Sequence, residues 1–118
     1  MSNKYLIGID EGTMGSRACI FDIGGKMLGR AASEYGVTSP KSGWYEQDCD
    51  AMANVIYEAC RKAIKESGIN PKDIAAVGLS TQGGAWVPVD EKDNVIRPCF
   101  GWQDSRGAQY FEEMRKKI

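Results

Sequence analysis

Asp10 closes an apolar run, Tyr5 to Ile9, and is followed closely by Gly12, Thr13, Met14, Gly15, Ser16 and Arg17. These residue types in this order suit magnesium and phosphate chemistry. A single carboxylate suits Mg²⁺ held through water, because that ion gives up its hydration reluctantly. Gly12 lets backbone N–H groups approach an anion, and the hydroxyls of Thr13 and Ser16 add donors. Arg17 brings a cation whose forked geometry matches phosphate oxygens. The GxxxxGK[ST] string of the Walker loop is absent, so a phosphate cradle here would be a hairpin between two strands. The same residues also describe an ordinary exposed aspartate in a turn, and the local pattern leaves both readings open.

A second group of chemical side chains lies near the end of the chain, Trp102-Gln103-Asp104-Ser105-Arg106. Trp102 offers an apolar face that could stack on a sugar or an aliphatic polyol. Its alternative is a packed tryptophan, whose burial would contribute on the order of 2–3 kcal/mol. Asp104 and Arg106 beside it favour the binding reading, although the two could equally form a surface ion pair that holds the loop and is worth little. Trp44 and Trp86 read mainly as packing. Glu46 and Asp48 resemble paired catalytic acids, but their place at a helix start favours capping.

The elements that must position these residues follow from periodicity. Lys4 to Asp10 reads as a strand apolar on both faces, hence central in its sheet and more buried than its neighbour. Ser16 to Asp22 returns as a second strand. Asp22-Ile23-Gly24-Gly25-Lys26 has hairpin-turn composition, and Met27 to Tyr35 reads as a third strand. Met52, Val55, Ile56, Ala59, Cys60, Ala63 and Ile64 make one face of a helix. Asp48 is its N-cap and Gly68 its left-handed stop, with Ile69 packing back on the last turn. Asn70-Pro71-Lys72-Asp73 predicts one capped tight turn, and Ile74 to Thr81 a buried strand. Helix followed by buried strand suggests a crossover onto a parallel neighbour. Ala85–Val89 and Val95–Pro98 flank a polar hairpin turn at 90–94, and a last helix from Ser105 carries Tyr110, Phe111, Met114 and Ile118 on one face.

The totals exclude several classes. The chain has 118 residues, 42% hydrophobic and 26% charged, and a net charge of -1, which fits one globular domain and gives no basic surface for nucleic acid. No apolar stretch reaches the roughly 20 residues of a membrane helix, and the N-terminus lacks a signal-peptide core. Four cysteines occur in no CxxC pair and there is no histidine. That argues against a usual zinc site and against Ser-His or Cys-His nucleophile pairs. Cys19, Cys49, Cys60 and Cys99 read as free thiols of a reducing cytoplasm.

Ile9-Asp10-Glu11-Gly12-Thr13-Met14-Gly15-Ser16-Arg17 with Ile20-Phe21-Asp22 resembles the first phosphate motif of the FGGY carbohydrate kinases, a family that includes glycerol kinase, xylulokinase and gluconokinase. Gly43-Trp44-Tyr45-Glu46-Gln47-Asp48 resembles the segment before that family's first helix. Ile74 to Gln82 resembles its substrate-side strand, and Val89-Asp90 through Arg97-Pro98 with Trp102 to Arg106 its hairpin and Trp-x-Asp-x-Arg segment. Four matches in order across the chain are far more specific than any one.

The resemblance implies an α/β fold of the ribonuclease-H-like, actin/hexokinase/Hsp70-type group. Three antiparallel strands would be followed by a helix and a parallel strand, in an incomplete lobe. Residues 1–118 would be an N-terminal fragment of the first kinase domain. It further implies ATP and Mg²⁺ as cofactors and phosphate transfer to a sugar or polyol hydroxyl. Asp10 would organise the metal, through water, and Gly12, Thr13, Met14, Gly15, Ser16 and Arg17 would hold the nucleotide phosphates. Gln82, Gly83, Gly84, Trp102 and Asp104 would contact substrate. Glycerol kinases place Arg-Glu after this glutamine and xylulokinases Met-His; Gly83-Gly84 departs from both, so the substrate is not carried over, and the pair also reads as a plain strand-end turn. The catalytic base, the second phosphate motif and the adenosine pocket would lie beyond residue 118. The fragment is therefore expected to be inactive alone and to self-associate through exposed apolar surface, homo-oligomerisation of the full-length protein being a further expectation. The alternative is a non-catalytic nucleotide-binding or scaffold module of actin-like fold.

Overall fold

The computed structural model describes residues 4–118. Its main sheet has the order β3-β2-β1-β5, built from β1 (Tyr5–Glu11), β2 (Gly15–Asp22), β3 (Met27–Glu34) and β5 (Ile74–Thr81). The first three strands are antiparallel and β5 runs parallel to β1. A small second sheet pairs β4 (Glu46–Gln47) with β6 (Cys99–Phe100), extended by bridges from Thr38 to Glu46 and from Trp86 to Phe100. The helices are α1 (Cys49–Ser67) and the short α2 (Phe111–Arg115).

Local chemistry explains the turns. Asp22 Oδ1 accepts from the N–H groups of Gly24 and Lys26, both at 2.9 Å, which closes the β2–β3 hairpin. Asp48 caps α1 by accepting from Ala51 N–H at 2.9 Å, and Gly68, at φ 71°, ends the helix by donating to the Ile64 carbonyl. Asn70 caps the 3-10 turn Pro71–Asp73 that leads into β5.

Ile7, Ala18, Ile20, Ala59 and Ala63 form the buried core between the sheet and α1. Side chains alternate along a strand, so Ile7 and Ile20, which are register partners, share this face. The two alanines let the helix come close. Gly29 is needed for the same reason: a Cβ there would lie 2.5 Å from the Ala63 carbonyl oxygen.

Four expectations change. β1 has the interior position foreseen for it, but β2 is the more buried strand, with Ser16, Ala18 and Ile20 all enclosed. The reason is that α1 lies across β3 and β2, and among the described residues nothing covers the opposite face of the sheet. The predicted buried strand 74–81 forms in register with β1 but is exposed along almost its whole length. It is the sheet edge, and of its residues Ile74 alone packs against the core. Around the 90–94 turn the flanking segments make only the Val89–Val95 bridge instead of a strand pair. The last helix is a 3-10 stretch, Arg106–Tyr110, followed by the five residues of α2, and Tyr110, Phe111, Met114 and Ile118 are all exposed. No described helix is long and apolar enough to cross a membrane.

Candidate functional site

β1 and β2 present Asp10 and Arg17 as direct cross-strand partners, and β5 brings Ser80 alongside Asp10 from the other side. By the alternation of the strands, Asp10, Arg17, Gly8, Cys19 and Phe21 occupy the open face, where they line a shallow groove with Gly78 and Ser80. Among the described residues neither Asp10 nor Arg17 enters a salt bridge, so both charges face outward on the uncovered surface. An exposed carboxylate of this kind fits Mg²⁺ that keeps most of its water. No cluster of three metal-ligating side chains occurs among the described residues, so the other ligands would have to be water and phosphate oxygens.

The turn between the strands is tied down from beneath. Gly12 N–H donates to the Gly15 carbonyl at 2.9 Å, and the Met14 carbonyl accepts from Tyr35 N–H at 3.0 Å and Gly36 N–H at 3.2 Å. The Tyr35 hydroxyl donates to the Gly12 carbonyl. Gly15 lies against β3 so closely that a Cβ would sit 2.4 Å from the Ser33 carbonyl oxygen. Met14 is exposed, whereas Ser16 is buried on the α1 side. Ser16 and Arg17 therefore point to opposite faces, and the structure does not bring the Ser16 hydroxyl beside Arg17.

The two groups of residues meet at Thr13. Its hydroxyl accepts from Trp102 Nε1 at 2.9 Å, and its carbonyl accepts from Gln47 Nε2 at 2.7 Å. Gln47 Oε1 in turn accepts from Gln82 Nε2 at 2.8 Å. Gln82 N–H donates to the Glu11 carbonyl, extending the β1–β5 pairing past the end of both strands. Gly84 has φ 71°, and a Cβ on it would lie 3.3 Å from Trp102 Cβ. Backbone geometry and the tryptophan both call for glycine there, whereas a Cβ on Gly83 would meet nothing within 4 Å. The glycine pair thus has two different origins. Trp102 is more than half exposed, so its ring is not a core side chain.

Asp104 sits apart, in an ionic corner. It accepts from Tyr45 N–H at 2.8 Å and from Arg106 Nε and Nη2, and Arg106 Nη2 also reaches Glu46 Oε1 at 2.8 Å. Arg97 Nη2 adds a second contact to the same Glu46 oxygen at 2.7 Å. The guanidinium of Arg106 stacks 3.9 Å from the Trp44 ring centroid, and that of Arg97 lies 4.0 Å from the Phe100 ring. Bonding to Arg106 holds the Asp104 carboxyl well below the usual carboxylate range. Two expectations are corrected here. The Asp104–Arg106 pair is largely enclosed, with side chains 6% and 14% exposed, so it is not a surface pair. Glu46 does not cap α1; it joins two arginines, and Asp48 alone is the cap.

A further cleft opens on the α1 side, where Glu11, Cys49, Met52, Gln82, Trp86 and Cys99 come together. Burial raises the Glu11 carboxyl above its ordinary value, opposed by the Tyr35 hydroxyl bond. Burial, with the neighbouring Cys49, also raises the Cys99 thiol, and all four cysteines are free. Trp86 stacks on Phe100 with centroids 4.1 Å apart but is 58% exposed, so it packs on one face and leaves the other open.

Gln47 and the Glu46 network escaped sequence reasoning. Both lie in the quoted 43–48 segment, but nothing in that string shows which side chain turns inward.

Residues 5–118 match the family described as FGGY family of carbohydrate kinases, N-terminal domain. The chain is 36% identical over 114 residues to a glycerol kinase of Rhizobium meliloti, covering 96% of this chain and 23% of that protein. A crystal structure of a xyloylose kinase from Brucella ovis superposes with a TM-score of 0.79 at 33% identity, over 96% of this chain and 23% of the other. A xylulose kinase from Rhodospirillum rubrum gives a TM-score of 0.89 at 20% identity, over 98% of this chain and 24% of the other, which speaks for the fold. The chain thus spans under a quarter of the length of these relatives.

Proposed function

The chain belongs to the FGGY family of carbohydrate kinases, and from that membership we propose that the full-length protein transfers the γ-phosphate of ATP to a hydroxyl of a sugar or polyol. The observation that carries this reading is the Asp10–Arg17 pair, set side by side on an uncovered sheet face beside the tied-down Thr13 turn. Asp10 would hold Mg²⁺ through water; the bound ion would neutralise charge on the phosphate oxygens. Arg17 and the 12–16 turn would hold the nucleotide phosphates, with Ser16 supporting the turn from within. Phosphoryl transfer needs little covalent help, so positioning and charge stabilisation carry most of the rate.

On the substrate side, Trp102 supplies an apolar platform, Gly84 lets the chain pass close beneath it, and Gln82 supplies an amide at the strand end. The open space at Gly83 leaves room for a substrate where other members carry a side chain. Asp104 serves this site by fixing the loop that carries Trp102, since its carboxylate is committed to Arg106 and Tyr45. The group that accepts the hydroxyl proton lies outside these 118 residues on this reading.

The test is ATP consumption by the full-length gene product across a panel of sugars and polyols, with the 118-residue chain assayed beside it. Turnover on at least one substrate by the former and none by the latter is expected. A full-length protein that consumes no ATP with any of them sinks the kinase reading. Turnover by the isolated chain shows that no further residues are needed.

A further inference from the structure

Among the described residues Gln47 is, with Ile20, one of the two largest fully enclosed side chains, and no step of the kinase chemistry uses it directly. A buried amide is costly unless its donors and acceptor are paired. Here Nε2 donates to the Thr13 carbonyl at 2.7 Å and more weakly to the Gly36 carbonyl at 3.4 Å, while Oε1 accepts from Gln82 Nε2 at 2.8 Å. The orientation of both amides follows. Two carbonyls on one side require the NH₂ group of Gln47 there, so its oxygen faces Gln82, and Gln82 must present its own NH₂ in return. That leaves Gln82 Oε1 buried without a partner among the described residues, an acceptor at the end of the substrate-side strand.

We propose that Gln47 is a positioning residue that locks the phosphate turn at Thr13 to the substrate-side strand end at Gln82, and that this lock, with the Trp102–Thr13 bond, couples sugar binding to nucleotide binding. The inference rests on the kinase reading above. Thr13 is the shared point: its carbonyl is held through Gln47 and its hydroxyl by Trp102 Nε1 at 2.9 Å. A substrate that orders Trp102 or Gln82 therefore orders the turn that receives phosphate, and coupling of this kind is reciprocal between the two ligands. A capping or packing role for residue 47 would need neither bond.

The experiment compares wild-type full-length protein with Gln47→Glu and Trp102→Phe, using calorimetric MgADP binding with and without the sugar or polyol that supports turnover, together with kcat and both KM values. Gln47→Glu keeps the shape and the acceptor for Gln82 but removes the donor to Thr13. It is expected to weaken MgADP binding and lower kcat/KM for ATP by about tenfold or more, with a smaller change in KM for the sugar. Trp102→Phe keeps an aromatic face, though a smaller one, and removes the Nε1–H donor to Thr13. It is expected to shrink the sugar-induced gain in MgADP affinity. Wild-type nucleotide affinity and KM values in a folded Gln47→Glu protein overturn the proposal, even if its melting temperature falls. Should Gln47→Glu not fold, an unchanged sugar effect in Trp102→Phe overturns it. Wild-type protein that binds no MgADP and turns over no substrate overturns the kinase reading and the lock together, whereas wild-type activity with indifferent variants overturns the lock alone.

Discussion

The two halves of the main sheet are built from similar residues and end in opposite conditions. β2 and β3 lie under α1, with Ala18 and Ile20 fully enclosed. β5 is just as apolar, yet Val77 and Leu79 are each 65% exposed. The difference lies in what each strand is given to lean on. α1 is 19 residues long, enough to cover the outer half of the sheet and no more. Composition shows which strands want cover; only the arrangement of neighbours shows which receive it. Asp10 and Arg17 sit on the face of the sheet opposite α1, so the uncovered face and the candidate phosphate site coincide.

The contrast breaks most sharply under truncation. Ile20→Ala in the 118-residue chain is expected to cost about 3 kcal/mol, the usual loss for a buried branched residue whose site cannot collapse. Leu79→Ala, with the same loss of volume or nearly so, is expected to cost under about 0.5 kcal/mol because little contact is removed. Urea unfolding of both variants checks this. Comparable costs would mean that β5 is covered in solution.

Covering of that kind is the second expectation. β5 from Ile74 to Thr81 carries no charged residue and offers an unpaired edge, the pattern that natural sheets blunt with lysine or proline. The 118-residue chain is expected to self-associate through this strand. Leu79→Lys should shift the population towards monomer in sedimentation, while a lysine at the exposed Tyr57 of α1 should not. An assembly indifferent to Leu79→Lys would place the contact elsewhere.

Much of this was legible in the sequence for physical reasons. The α1 stripe, the Asp48 cap and the Gly68 stop are local devices, fixed by residues within a few positions of one another. The β1–β2 hairpin with Asp10 at its end was readable for the same reason. What could not be read depends on separation. The bond from Trp102 to Thr13 joins residues far apart in the chain, as does the contact of Asp104 with Tyr45 N–H. The hidden role of Gln47 needs three separate segments in place at once. The exposure of β5 depends on where α1 ends up, which the residues of β5 do not encode. The pairing of Asp104 with Arg106, two residues on, was legible, but its enclosure required the 43–48 segment to fold against it.

Two acids on either side of this junction sharpen the comparison through pH. Asp104, in the ionic corner, has its folded-state value depressed below the ordinary 3.8, chiefly by Arg106. Its contribution to stability is therefore complete above that value and is lost as pH falls below it. Glu11, lining the α1-side cleft, has its value raised above 4.5 by burial. Its contribution is complete below 4.5 and is lost as pH rises through the folded-state value, so the ionised form works against folding near neutrality. Thermal midpoints measured from about pH 3 to pH 7 should separate the two. Asp104→Asn is expected to lower the midpoint at neutral pH and to flatten its fall at the acidic end. Glu11→Gln keeps an acceptor for Tyr35 and is expected to raise the midpoint slightly at pH 7 and to leave it unchanged near pH 3. The Asp104 effect should be the larger, because the largely enclosed Arg106 loses one of its two carboxylate partners and keeps only Glu46, whereas Glu11 only exchanges one acceptor for another. If Glu11→Gln lowers the neutral midpoint, ionised Glu11 is stabilised in the cleft, and the cleft is more polar than its apolar lining of Met52 and Trp86 suggests.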